Sequence, residues 1–468
     1  MKKIKIYITA FGTILLLGAC NKQLNLNPSN QIEADKAILT ATDVQSTLIG
    51  AYNRMSLSDL YGGRVFLEPD LMATQSVVDW SGTFQGLTQM VSQEIPNNNT
   101  FVNSIWLDAY RVINQTNNVL ANLDKVAEGD KNSTEGQAKF LRGLVYFEMV
   151  RLFGKSWNDG DPNVNLGVPI VLTPTSVINS SSYPSRSTVS QVYQQAIADL
   201  TDAETKLDKG ITFFANSYSA SAILARLYLQ QGEYAKAATE ATKVISSNAY
   251  SLVAVYTDEF PFPNQSAVHV DNTTEDIFAI QLTSQLGTGV TNELNTFYAS
   301  SEFGGRGDIT IKESFLNQFS NGDTRLDIYN EDSDGNLRCD KFDNLYGNIR
   351  VIRLAELYLI RAEANLRLGT TTGAQPLADI NVIRKRAGIA NYVQPVNPDP
   401  AQVTAANIAE VLQQRVLELA FEGGFFFHDA KRLKQKVGPS NFDAANVIFP
   451  IPQTEVNANK NLVQNEGY

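Results

Sequence analysis

Apolar positions recur at spacings of three and four over most of this chain. Val189, Val192, Tyr193, Ala196, Ile197, Leu200, Ala203 and Leu207 trace one stripe of a helix, because residues at those offsets share a face. The stripe follows Pro184-Ser185-Arg186-Ser187-Thr188, where Ser187 or Thr188 can cap the first turn. The same reading predicts helices over 42–56, 102–125, 134–153, 217–231, 234–247, 350–368, 374–387 and 404–422.

Two stretches read as helix–turn–helix pairs. Ala222, Leu224, Ala225, Tyr228 and Leu229 lead through Gly232 to Ala235, Ala238 and Ala241. Ala355, Tyr358, Leu359, Ala362 and Ala364 lead through Gly369 to Ala378, Ile380 and Ile383. In each, a glycine stops one helix and small residues let the next approach closely. The pairs resemble tetratricopeptide units, far apart and interrupted by insertions. Between the helices, segments 57–101, 154–186, 248–346 and 389–403 are rich in Asn, Gly, Ser, Asp and Pro and read as long irregular loops. Loops of that length in a compact fold are disproportionately functional. The expected class is mainly α, with helical pairs displaying large loops.

The N-terminus has a different pattern. Lys2, Lys3 and Lys5 precede an apolar run from Ile6 to Leu17, then Gly18-Ala19-Cys20. A basic start, a short apolar core and small residues before a cut site form a secretory signal over 1–19. The run falls short of the roughly 20 apolar residues that span a bilayer. Leu17-Gly18-Ala19-Cys20 looks like a bacterial lipobox, in which Cys20 is acylated and becomes the new N-terminus. The remainder, 20–468, reads as a single domain with a short tether over 20–30. If Cys20 carries lipid, Cys339 stands alone and packing rather than a disulfide must stabilise the chain.

Charge and composition narrow the chemistry. A formal charge of −11 with no dense Lys/Arg stripe argues against nucleic acid. Only His269 and His428 are present, without the spacing of a zinc site or a hydrolase elbow. Asn330-Glu331-Asp332-Ser333-Asp334-Gly335-Asn336 is similar to the start of an EF-hand loop. Its twelfth position is Lys341 rather than a bidentate Glu, so it reads as a polar turn. No catalytic residue, metal or cofactor is assigned. Glu356, Glu363, Arg353 and Arg361, with Glu418 and Glu422 near Arg415 or a neighbouring helix, read as structural ion pairs.

The positive signal is aromatic side chains on loops. A sugar ring stacks its C–H face on an aromatic ring while its hydroxyls take directed hydrogen bonds. Trp80 is the first candidate, with Asp79 and Phe84 beside it. Tyr61, Trp157, Tyr298 and Arg306 are further candidates, each loop aromatic being equally able to plug the core. Trp106 and Tyr110, four apart on a predicted helix, read as core.

Several blocks, in order, resemble the SusD/RagB family of outer-membrane nutrient-binding lipoproteins. They are Lys139–Leu144 through Gly154, Gly167–Ile170, Arg353–Ala364, Asn381–Gly388, Glu418–Gly423, and Phe449–Glu455 with Gln464–Tyr468. The stretch Gly424–Arg432 departs from the family pattern by one residue and lacks its arginine, leaving the local helix register open. Asn21-Lys22-Gln23 lacks the acidic residues often found after the lipidated cysteine of surface-exposed members. The resemblance implies an oligosaccharide ligand, a SusC-type TonB-dependent transporter as partner, and a lipid-anchored place on the outer membrane facing outward. A peptide-binding member of the same family, a surface glycosidase using paired carboxylates, and a structural lipoprotein whose aromatics are all core are the alternatives.

Overall fold

The computed structural model describes residues 38–175, 182–262, 269–283 and 293–468. The signal over 1–19, Cys20 and the tether over 20–30 lie outside them.

The first half is built of α1 (Ala41–Met55), α2 (Arg64–Ala73), β1 (Val78–Trp80), α3 (Gln85–Ser92), α4 (Thr100–Ala121), α5 (Glu128–Phe153), α6 (Val189–Lys206), α7 (Ser217–Gln231) and α8 (Tyr234–Ile245). The middle holds short elements: β2 (Asp276–Ile280), α9 (Glu293–Tyr298), β3 (Ile309–Ile311), α10 (Glu313–Leu316), β4 (Tyr329–Glu331), β5 (Leu337–Cys339) and β6 (Ile349–Arg353). The last part contains α11 (Leu354–Leu368), α12 (Pro376–Arg386), α13 (Pro400–Leu419), α14 (Phe425–Arg432) and α15 (Gln453–Ala458).

The long helices stack in succession. α1 packs on α4, α4 on α5, α5 on α6, α6 on α7 and α7 on α8; α11 then lies on α8 and carries α12 and α13. Both expected helical pairs form, α7 with α8 and α11 with α12. Gly232 (φ 77°) and Gly369 (φ 66°) end their first helices in the left-handed region, where a Cβ is disfavoured. Thr188 caps α6: its hydroxyl accepts from the Gln191 amide at 3.2 Å, while the Gln191 side chain accepts from the Thr188 amide at 2.9 Å. One apolar core runs from Val44 to Leu462, and a smaller cluster around Leu359, Ile380, Ile383 and Val411 seals α11 against α12 and α13.

Several expectations need correction. Segment 57–101 is not irregular throughout, because it holds α2, β1 and α3. In α2, Val65 through Met72 are all buried, so it has no polar face to generate a stripe. The helix expected over 350–368 begins only at Leu354; Ile349, Val351 and Ile352 extend as β6 and pair antiparallel with β2, as branched side chains favour. α13 runs from Pro400, capped by Asp399, and stops before Phe421, whose φ of 68° breaks the helix. α5 starts earlier than expected, at Glu128.

The charged family motifs form a buried network. Arg353 donates to Glu275 at 2.6 Å, to Glu418 at 2.6 Å and to Glu422 at 2.7 Å. Arg386 also pairs with Glu275 and Glu418. Burial alone would raise the Glu418 pKa, but Arg386, Arg353 and Arg325 hold its carboxylate well below the usual range. Arg415 turns away from Glu418 and instead serves Glu356 at 3.2 Å and Asp429 at 2.6 Å. Arg226 grips Glu356 from α7, Arg361 grips Asp379 on α12, and Arg432 grips Glu363 from α14. The motif charges therefore join different elements, while Glu363 with Arg367 and Asp429 with Arg432 also pair along their own helices.

Candidate functional site

β1 and β3 pair antiparallel, with Asp79 opposite Thr310 and Trp80 opposite Ile309. This short ladder brings two loops together that are more than two hundred residues apart in sequence. It places Trp80, Phe84 and Arg306 in one cluster.

Trp80 is half-buried and fixed on three sides. Its Nε1 donates to Thr88 Oγ1 at 3.0 Å, and its ring tilts against Phe297 of α9 at 5.7 Å. Gly82 lies so close under the indole that a Cβ there would overlap the ring. Phe84 is 41% exposed and stands edge-on to Phe297 at 5.7 Å and to Phe101 at 6.1 Å. The Arg306 guanidinium covers the Phe84 ring at 5.0 Å, and from below Arg64 covers Phe101 at 4.4 Å. Cation–π contacts of this kind hold the rings in place as well as attracting charge.

The rim is polar. Arg306 Nε donates to Asp308 at 2.8 Å and its terminal nitrogen to Thr83 Oγ1 at 3.3 Å. Asp79 is exposed and faces the Lys312 ammonium at 2.9 Å, which also donates to the Gln75 carbonyl at 2.8 Å. Exposed aromatic faces with ordered donors and acceptors around them can stack a ring and hydrogen-bond its substituents.

The other expected site residues lie elsewhere. Tyr61 is 1% exposed and donates to Glu148 at 3.3 Å. Tyr298, also 1% exposed, packs on Phe342 and Phe421 at 5.0 and 5.3 Å. Both rings are core and present no face to a ligand in this structure. Trp157 is half-buried against Tyr193 of α6 at 5.0 Å, away from the Trp80 cluster. Phe297, Phe101, Thr88 and Lys312 were not singled out from the sequence: Lys312 arrives through the β1–β3 pairing, and Thr88, Phe101 and Phe297 through the packing of α3, α4 and α9.

Two other candidates take structural places. Asp332 accepts from the amides of Asp334 and Asn336 and from Arg338, so the EF-hand-like stretch is the turn between β4 and β5. His428 is buried 3.6 Å from Glu148. Burial, with Arg151 nearby, pushes its pKa down to about 4 against the pull of Glu148, keeping the imidazole neutral.

Comparison with known proteins fits this architecture. A SusD-like family model, described as starch-binding and associating with the outer membrane, matches residues 24–229. A SusD family model matches residues 340–438. SusD-like protein P2 of Formosa agariphila is 25% identical, with all of both chains covered. The chain belongs to the SusD/RagB family. Among SusD superfamily crystal structures, one from Bacteroides thetaiotaomicron superposes with a TM-score of 0.78 at 26% identity, covering 91% of this chain and 100% of the other. A SusD-like carbohydrate binding protein from Bacteroides vulgatus shares the fold, with a TM-score of 0.76 at 22% identity over 91% and 98% of the two chains. The starch-binding protein SusD of Bacteroides thetaiotaomicron is 32% identical over a shorter region, 26% of this chain and 22% of its own. Among the described residues, no helix is long and apolar enough to cross a membrane.

Proposed function

We propose that this SusD/RagB member is a lipid-anchored outer-membrane protein that captures an oligosaccharide on the Trp80–Phe84 platform and delivers it to a SusC-like TonB-dependent transporter. The observation that carries this reading is the half-buried Trp80 ring beside the partly exposed Phe84 ring, braced by Phe297 and Thr88 and bordered by the Asp79–Lys312 and Arg306–Asp308 pairs. Stacking supplies affinity, and the rim supplies hydrogen bonds to hydroxyls. The role is binding without chemistry, with His428 buried against Glu148 and closed off from solvent. Leu17-Gly18-Ala19-Cys20 supports attachment through acylated Cys20, with 20–468 acting as one domain outside the cell. The starch-binding description of the matching family model supports a glycan over a peptide.

The test is titration calorimetry of the purified chain against parallel panels of oligosaccharides and peptides, with reducing ends assayed after incubation. Saturable binding of a glycan with no release of reducing ends is expected. Binding confined to peptides would overturn the substrate class, and hydrolysis would overturn the role.

A further inference from the structure

The charge balance around the platform bears on which glycans it takes; this inference rests on the glycan-binding reading. Each cation of the cluster already faces a carboxylate. Arg306 pairs with Asp308 at 2.8 Å and Lys312 with Asp79 at 2.9 Å. Deeper, Arg64 pairs with Asp59 and Glu293. Arg338, which donates to the Gly307 and Ile309 carbonyls behind the rim, pairs with Asp332 at 2.7 Å. These four cations face five carboxylates, so the described rim carries no surplus positive charge, on a chain whose formal charge is −11. A carboxylate or sulfate ester approaching Lys312 meets the more exposed Asp79 at nearly the same distance, while Asp308, buried beside Arg306, offsets the charge of that guanidinium from behind. A hydroxyl differs, because it donates to the carboxylate and accepts from the cation of the same pair.

We propose that the platform selects an uncharged oligosaccharide, a ring face on Trp80 beside Phe84 and its hydroxyls on the Asp79–Lys312 pair and on the exposed Arg306 guanidinium. Selection against anionic glycans then arises from Asp79 and Asp308, not from a lack of cations.

The test measures affinity for neutral gluco- and manno-oligosaccharides and for oligogalacturonates and sulfated oligosaccharides of equal length, at low and high salt. Neutral glycans are expected to bind with less than about a twofold change between about 50 and 500 mM salt. Anionic glycans are expected to bind about tenfold more weakly or worse. Asp79→Asn, an exposed change that leaves Lys312 without its counter-charge, is expected to improve anionic binding several-fold while leaving the fold intact. Anionic glycans binding more tightly than neutral ones, losing affinity steeply with salt and depending on Trp80, would overturn the charge inference while leaving the platform standing. Absence of binding by both classes, or binding unaffected by Trp80→Ala, would remove the platform and the inference together. An Asp79→Asn variant with unchanged selectivity would contradict the role given to the rim pairs.

Discussion

The indole of Trp80 and the ring of Phe297 stand 5.7 Å apart, tilted by 50°, joining a surface loop to a core helix. This contact, the Thr88 hydrogen bond and the close approach of Gly82 leave the indole one orientation. Rigid aromatic surfaces bind with less entropy lost on association.

Gly82→Ala tests that rigidity. The added Cβ overlaps the indole, so the ring must swing away while the core stays packed. Glycan affinity is expected to fall several-fold, with the melting temperature close to wild type. Unchanged affinity would show that the ring's placement is immaterial.

Buried and exposed charges should behave oppositely. Arg353→Met leaves Glu275, Glu418 and Glu422 short of a counter-charge, a loss of about 3–5 kcal/mol. Lys236, more than half exposed beside Glu233, should change stability by less than about 0.5 kcal/mol when replaced by alanine. Denaturant titration of both variants checks the contrast.

Glu68 gives a pH signature. It is fully buried, and burial pushes its pKa up to about 8, opposed by Arg64 and reinforced by Glu293 and Asp59. Unfolded, it ionises near 4.5. Between these values the folded chain holds a proton that the unfolded chain has lost, so this group's contribution to stability falls as pH rises. Glu68→Gln removes that dependence, and the stability of the variant relative to wild type should therefore rise between about pH 5 and pH 8. A difference flat with pH would contradict the assignment.

Thr188→Ala should cost about 1 kcal/mol, the usual worth of an N-cap, because it removes the acceptor for the Gln191 amide. Thermal unfolding reads it directly.

That cap was legible in the sequence, as were the stripe of α6, the glycine-ended pairs α7–α8 and α11–α12, and the family blocks. Amphipathic helices reveal themselves because one face stays wet. The helix α2 did not, being buried on all sides, and β6 did not, because it runs directly into α11. Of the candidate site, Trp80, Asp79, Phe84 and Arg306 were named from loop aromatics and charge, and the fold brings them together. Tyr61 and Tyr298 could not be told from core residues, since burial depends on α2 and α9 packing over segments read as loops. Lys312 joins the cluster through the β1–β3 ladder, a pairing of three residues without a sequence signature, and Phe297 through the packing of α9.

The central claim is that the Trp80 indole face binds sugar. The most direct measurement is the affinity of Trp80→Ala for a glycan bound by the wild-type chain, with circular dichroism showing both folded. A loss of at least about tenfold, ~1.4 kcal/mol of stacking, is the expected result. Equal affinity in the two folded proteins would contradict the claim.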